Sequence, residues 1–157
     1  MTMQPAMRHP ARRTRQGGFT LLEVLIALVV LSIGLLGLAA LQATSLQFNQ
    51  SANVRSQATQ LAYDLADRMR ANRDAALAGA YDGVGFAAEP PACAVSPQPG
   101  GSIANQDIAQ WRNALACGLP AGTGAVTRNG EMVTITVRWD DSRGERPPEQ
   151  FAVTTRL

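Results

Sequence analysis

Gly17-Gly18-Phe19-Thr20-Leu21-Leu22-Glu23-Val24-Leu25-Ile26-Ala27-Leu28-Val29-Val30-Leu31-Ser32-Ile33-Gly34-Leu35-Leu36-Gly37-Leu38-Ala39-Ala40-Leu41 is the stretch on which the rest of the chain depends. From Phe19 onward it is apolar except for Thr20, Ser32 and one charge, Glu23. About 23 residues at 1.5 Å each make a helix of roughly 34 Å, enough to cross a hydrocarbon core of about 30 Å. The run is therefore read as a membrane span with a carboxylate near one end.

An ionised acid in hydrocarbon is costly and is normally kept where a partner awaits it. Glu23 has a plainer reading too, since near the start of the span it reaches headgroups and favours the positive end of the helix dipole. Arg8, Arg12, Arg13 and Arg15 precede the run with no acid among them. That bias holds the N-terminus in the cytoplasm and sends the rest of the chain outward.

The Arg-rich leader, Gly18, Phe19-Thr20-Leu21-Leu22-Glu23 and the apolar helix together resemble the class III signal of type IV pilins and type II secretion pseudopilins. The resemblance implies that a prepilin peptidase cuts between Gly18 and Phe19 and methylates the new N-terminus at Phe19. The stretch from Leu31 to Ser45, and later Asp64-Leu65-Ala66-Asp67-Arg68-Met69-Arg70-Ala71-Asn72, is similar to the PilV-type minor pilins. Cleavage there places a free amine four residues before Glu23, and amine and carboxylate are both charged at neutral pH. The Phe19 amine of one helix then pairs with Glu23 of a neighbour; at 4 Å and an effective dielectric of 20 the attraction is about 4 kcal/mol before desolvation. On this reading Phe19 and Glu23 form the subunit-assembly site.

An ordinary secretory signal also has basic residues before an apolar run, but it is cut after the run, and Gly37-Leu38-Ala39 loosely qualifies. The run here exceeds the usual length of such signals. N-terminal sequencing separates the two: Phe19 for one, a residue near Ala40 for the other.

Composition excludes more than it suggests. All 14 basic residues are Arg, so no Lys exists for a P-loop or a Schiff base. The single His, His9, lies in the leader, which leaves no imidazole for a Ser-His-Asp or Cys-His arrangement. With only two Cys, a closed zinc site is not expected either. Without the leader, ten Arg face twelve acids. The pI near 8.9 therefore belongs largely to the leader and does not argue for nucleic acid. Cys93 and Cys117 bracket 23 residues, and in an oxidising compartment they are expected to form a disulfide worth roughly 3 to 4 kcal/mol in the loop-entropy model.

Past the span, Gln42 to Asn53 contains no Pro or Gly, so the helix is expected to continue. Leu61, Leu65 and Met69, with Ala58 and Ala62, form an apolar stripe at helical spacing. One helix from Phe19 to about Leu77 follows. Gly34 and Gly37 are read either as points of close helix approach or bending, or as ordinary glycine use in a membrane helix. Asp64 with Arg68, and Arg70 with Asp74, have the spacing of pairs on a solvated face. Gly79, Gly83 and Gly85 end the helix, with Tyr81-Asp82-Gly83 as a turn.

Residues 87–101 read as a loop held by Cys93. A short helix follows, carried by Ala104, Ile108, Trp111 and Leu115, with Cys117 just beyond its end and Trp111 as a core anchor. Then the period changes to two. Val133, Ile135, Val137 and Trp139 alternate with polar residues, Asn129-Gly130 marks a hairpin back to a strand near residues 125–128, and Phe151, Val153, Thr155 and Leu157 alternate again. Asp140, Asp141, Glu145 and Glu149 gather between the last two strands, where a solvated loop is favoured over calcium and the loop is a candidate for subunit contact.

The expected fold is α+β: a long N-terminal helix packed by its outer half on a small antiparallel sheet of three strands. The expected organisation is a cleaved cytoplasmic leader (1–18), a transmembrane half-helix (19–41), a periplasmic half-helix (42–78) and a disulfide-tied part with the sheet (79–157). The resemblance implies a non-enzymatic minor pilin of the inner membrane and then the pilus, without cofactor, metal or nucleic acid. Its partners are the prepilin peptidase, other minor pilins, the major pilin and inner-membrane lipid; its roles are initiating or capping a type IV pilus, twitching motility and adhesion. A type II secretion pseudopilin, or a secreted enzyme or binding module with an ordinary signal, is the alternative.

Overall fold

The structure is a computed structural model that describes residues 17–89, 91–95 and 100–157. Most of the leader, with Pro5, Pro10, His9 and the four arginines, lies outside the described residues, as do Pro90 and residues 96–99 of the loop around Cys93. The elements in order are α1 (Leu21–Ala71), α2 (Arg73–Leu77), α3 (Ile103–Gly118), β1 (Thr123–Asn129), β2 (Met132–Trp139) and β3 (Glu149–Arg156). The chain divides into two compact units at Thr44 and Ser45.

The described part of the first unit is the apolar section of α1. Its large side chains are exposed, from Val24 at 47% to Leu21 at 85%. The helix is stable without tertiary cover because the backbone satisfies itself, which is what a lipid environment requires.

The second unit is built around a meander. Strand order is β1-β2-β3, all antiparallel, with Val126 opposite Ile135 and Ile135 opposite Val153. On β2 the alternating residues Val133, Ile135, Val137 and Trp139 are fully buried, as the period-two pattern demands. They meet Val54, Ala58, Ala62, Leu65, Ala66 and Met69 of α1, together with Trp111 and Leu115 of α3. Alanine at 58, 62 and 66 keeps this face of α1 low. The buried line therefore runs through the alanines, and Leu61, expected at its centre, is only partly buried.

α3 and β1 approach closely at two glycines. A Cβ on Gly124 would overlap the Trp111 ring and Leu115, and one on Gly122 would overlap the Leu115 carbonyl. Trp111 is fully buried and its Nε1 donates to the Leu61 carbonyl at 2.9 Å, so it is the expected core anchor and also ties α3 to α1. Ser102 caps α3 by accepting from the Asn105 N–H at 3.3 Å.

Several expectations change in detail. The long helix is interrupted at Asn72 (φ −113, ψ 46), so residues 73–77 form a separate turn of helix. Asn72 donates from Nδ2 to the Tyr81 hydroxyl at 3.2 Å, a side-chain partner that the turn at Tyr81 provides. Arg70 pairs with Asp67 at 2.6 Å rather than with Asp74. Arg68 does pair with Asp64 at 2.9 Å, but it also reaches Asp107 and Gln110 of α3, so the charged face is partly a tertiary contact. Cys117 lies inside α3, not beyond it. The hairpin turns on Gly130 and Glu131, between the paired Asn129 and Met132, and only Gly130 has positive φ (+63). That is the type II′ pattern, with glycine in the first central position, rather than the Asn-Gly type I′ turn.

Candidate subunit-assembly site

The first turn of α1 is fixed by Thr20. Its hydroxyl accepts the Glu23 N–H at 3.2 Å, and its carbonyl accepts the Val24 N–H at 3.3 Å. Thr20 is thus an N-cap and Glu23 the third helical residue, the T-x-x-E spacing of a capping box. That signature was readable in the sequence, where Thr20 stood only as a polar exception in the span. Its effect is to leave the Glu23 side chain on an ordered helical turn instead of a frayed end.

The polar residues of the apolar section of α1 divide into two kinds. Ser32 donates its hydroxyl to the Leu28 carbonyl at 2.7 Å, and Thr44 donates to the Ala40 carbonyl at 3.0 Å. Such back-bonds satisfy a hydroxyl within its own helix and seek no partner. Glu23 differs: it is exposed, and among the described residues its carboxylate has no hydrogen-bonding or ionic partner. Phe19, four residues earlier, is 84% exposed. Around Gly34 and Gly37 an added Cβ would meet nothing within 4 Å, so no contact among the described residues requires either glycine.

The second unit carries the other sequence-marked residues. Cys93 and Cys117 are joined in a disulfide with Cα atoms 4.7 Å apart. The acidic loop after β2 spends its carboxylates on its own shape. Asp140 accepts from the Ser142 hydroxyl (2.7 Å), the Ser142 N–H (2.8 Å) and the Gly144 N–H (2.6 Å), with Arg143 and Gly144 in positive φ. The Ser142 hydroxyl and these N–H groups hold the Asp140 carboxyl below the usual carboxylate range. Asp141 accepts from the Ser51 hydroxyl of α1 at 2.9 Å and faces Arg146 at 3.5 Å. Between this loop and α1 lies an open groove of about 800 Å³ bordered by Phe48, Ser51, Asp141 and Arg146. Among the described residues no group of three His, Cys, Asp or Glu is placed to hold a metal ion.

A polar network that the sequence reading missed joins three elements of this unit. The buried Tyr81 donates its hydroxyl to Asp107 at 2.6 Å, and Asp107 also faces Arg68 at 3.3 Å. Burial first, and the bond to Asp107 second, push the Tyr81 phenol above its ordinary value. No local pattern marks it, because its members are far apart in sequence.

The chain thus combines an α+β fold, in which the outer part of a long apolar N-terminal helix packs on a three-stranded antiparallel sheet, with an acid, Glu23, at the head of that helix that has no partner among the described residues. This is consistent with a type IV pilin fold. Residues 13–39 match the family model described as the prokaryotic N-terminal methylation motif, and residues 40–94 match the one described as type IV pilin Tt1218. These adjoining matches support a type IV pilin, a structural and non-enzymatic family. The methylation motif implies processing by a prepilin peptidase and assembly with other pilins; with the apolar helix, it fits membrane anchoring before residence in the pilus. Comparison with curated proteins and with solved structures gives no match.

Proposed function

We propose that this chain is a PilV-type minor pilin. A prepilin peptidase cuts between Gly18 and Phe19 and methylates the Phe19 amine; the processed subunit rests in the inner membrane with residues 42–157 in the periplasm. It then joins other minor pilins and the major pilin to initiate or cap a type IV pilus, in support of twitching motility and adhesion. The observation that carries the reading is the Glu23 carboxylate, presented on a capped turn with no partner among the described residues while Ser32 and Thr44 are satisfied inside the helix. A neighbour's amine at the same depth is the cation that removes this cost.

The test is Glu23→Ala, with N-terminal sequencing, in cells scored for surface pili and for protein secretion. The mature chain is expected to begin at Phe19 in both forms, and incorporation of the variant into sheared filaments is expected to fall at least about tenfold, since about 1.4 kcal/mol of the available attraction already gives that factor. Equal incorporation overturns the role of Glu23, and a start near Ala40 overturns the whole reading. Lost secretion with pili intact assigns the chain to a secretion pseudopilin instead.

A further inference from the structure

The Cys93–Cys117 bond is a covalent tie placed where it holds nothing of the core. Both half-cystines are exposed, and so are the described residues around Cys93 from Pro91 to Val95, with Val95 fully exposed. On α3 the core contacts are made by Ala104, Trp111 and Leu115. At 100° per residue, Asn113 stands about 200° from Trp111, and Cys117 about 240°, on the far side of the helix. Asn113 and Cys117 are one turn apart on that outer face, and both hold the same short segment. The Asn113 Oδ1 accepts the Ala94 N–H at 2.8 Å, and its Nδ2 donates to the Ala94 carbonyl at 3.1 Å. The segment is therefore a strap, fixed at Cys93 by the disulfide and at Ala94 by one amide side chain.

We propose that the Cys93–Cys117 disulfide is a redox-releasable strap: reduction by a dithiol frees the segment around Ala94 from the outer face of α3 and leaves the helix–sheet core folded. The step is a thiol–disulfide exchange. One thiolate of the dithiol attacks a cystine sulfur and forms a mixed disulfide, and its second thiolate displaces the remaining cysteine. The products are two protein thiols and one oxidised dithiol. Both cystine residues lie exposed at the surface, so an attacking thiolate reaches the bond without the core having to open. Two hydrogen bonds at a solvated site do not hold the segment by themselves, because water replaces them at little cost. The consequence is a surface of α3 that changes with the thiol poise of its surroundings while the residues packing against α1 do not move. This device is independent of the filament role.

The experiment uses the full chain in detergent, oxidised and then treated with dithiothreitol without denaturant. Alkylation and mass measurement count the thiols, hydrogen exchange follows the Ala94 amide, and tryptophan emission reports on Trp111 and Trp139, both fully buried. Two new thiols, at least a tenfold loss of protection at Ala94 and unchanged emission are expected. The C93S/C117S double variant is expected to reproduce the reduced pattern. Resistance to reduction, retained protection at Ala94 after reduction, or a shift to exposed-indole emission each overturns the proposal.

Discussion

The two parts of α1 leave their apolar groups in opposite situations. In the section ending at Thr44 leucines and valines project on every side, and none is buried among the described residues. In the section from Ser45 to Ala71 a line of alanines with Val54, Leu65 and Met69 is covered by the sheet and α3, while Leu46, Phe48 and Tyr63 stay exposed. The first part needs no tertiary partner to satisfy its backbone, and association there rests on packing and polar groups instead of on water exclusion. The second part is held by burial, and every change of volume in it is felt. The same helix is thus interchangeable in its side chains at one end and closely specified at the other, with Glu23 the exception in the first part.

That contrast breaks most clearly at Trp111. Trp111→Ala removes a fully buried ring and its hydrogen bond to the Leu61 carbonyl, and the expected loss is about 3–5 kcal/mol in denaturant unfolding of the detergent-solubilised chain. Leu65→Ala on α1 is expected to cost about 2–5 kcal/mol in the same assay. Leu31→Ala, on the same helix but 58% exposed, is expected to stay within about 0.5 kcal/mol. Comparable losses for Leu65→Ala and Leu31→Ala would dissolve the distinction between the two parts. Gly124→Ala sharpens it from the opposite direction: the added methyl must displace the Trp111 ring or Leu115, at a cost of about 1–3 kcal/mol. Gly34→Ala meets open space and is expected to leave the unfolding midpoint unchanged or raise it slightly.

What the sequence disclosed follows from how local each signal is. The apolar helix, the period-two strands and the Trp111-bearing helix were legible because each is a repeating pattern in a short window, and the meander followed from one close turn and the strand alternation on either side of a longer loop. Glu23 drew attention in the sequence because a lone charge in an apolar run stands out. Less was visible where the partner is distant. Arg68 looks like half of an i,i+4 pair, and only the fold brings Asp107 within 3.3 Å of it. Likewise Asn113 is an ordinary helical amide until the disulfide sets Ala94 beside it. The break at Asn72 leaves no strong breaker in the sequence; its Nδ2 bonds the Tyr81 hydroxyl of a turn nine residues on. Thr20 is the one local signal that was passed over, since T-x-x-E at a helix start is a recognised cap.

The smallest expected effect concerns acid. Asp82 lies opposite Arg128 of β1, which donates from Nε to it at 2.9 Å. That hydrogen bond, against a smaller desolvation penalty, holds the Asp82 carboxyl below its ordinary value. With the folded value depressed, the pair's contribution is fully present above the unfolded carboxylate pKa of about 3.9 and is lost as pH falls through the lowered folded value. The pair is well exposed to solvent, so its effect is expected to be smaller than any of the core substitutions. Arg128→Gln should therefore lower the unfolding midpoint slightly at neutral pH, and the two curves should meet once the pH is below the folded Asp82 value. Asp140 titrates in the same window, but its carboxyl is held down by Ser142 and Gly144, so it cancels in the difference between the two proteins. A gap that persists unchanged into strong acid would mean that Arg128 stabilises the edge of β1 by packing, and the second unit would then owe even this surface position to contact instead of charge.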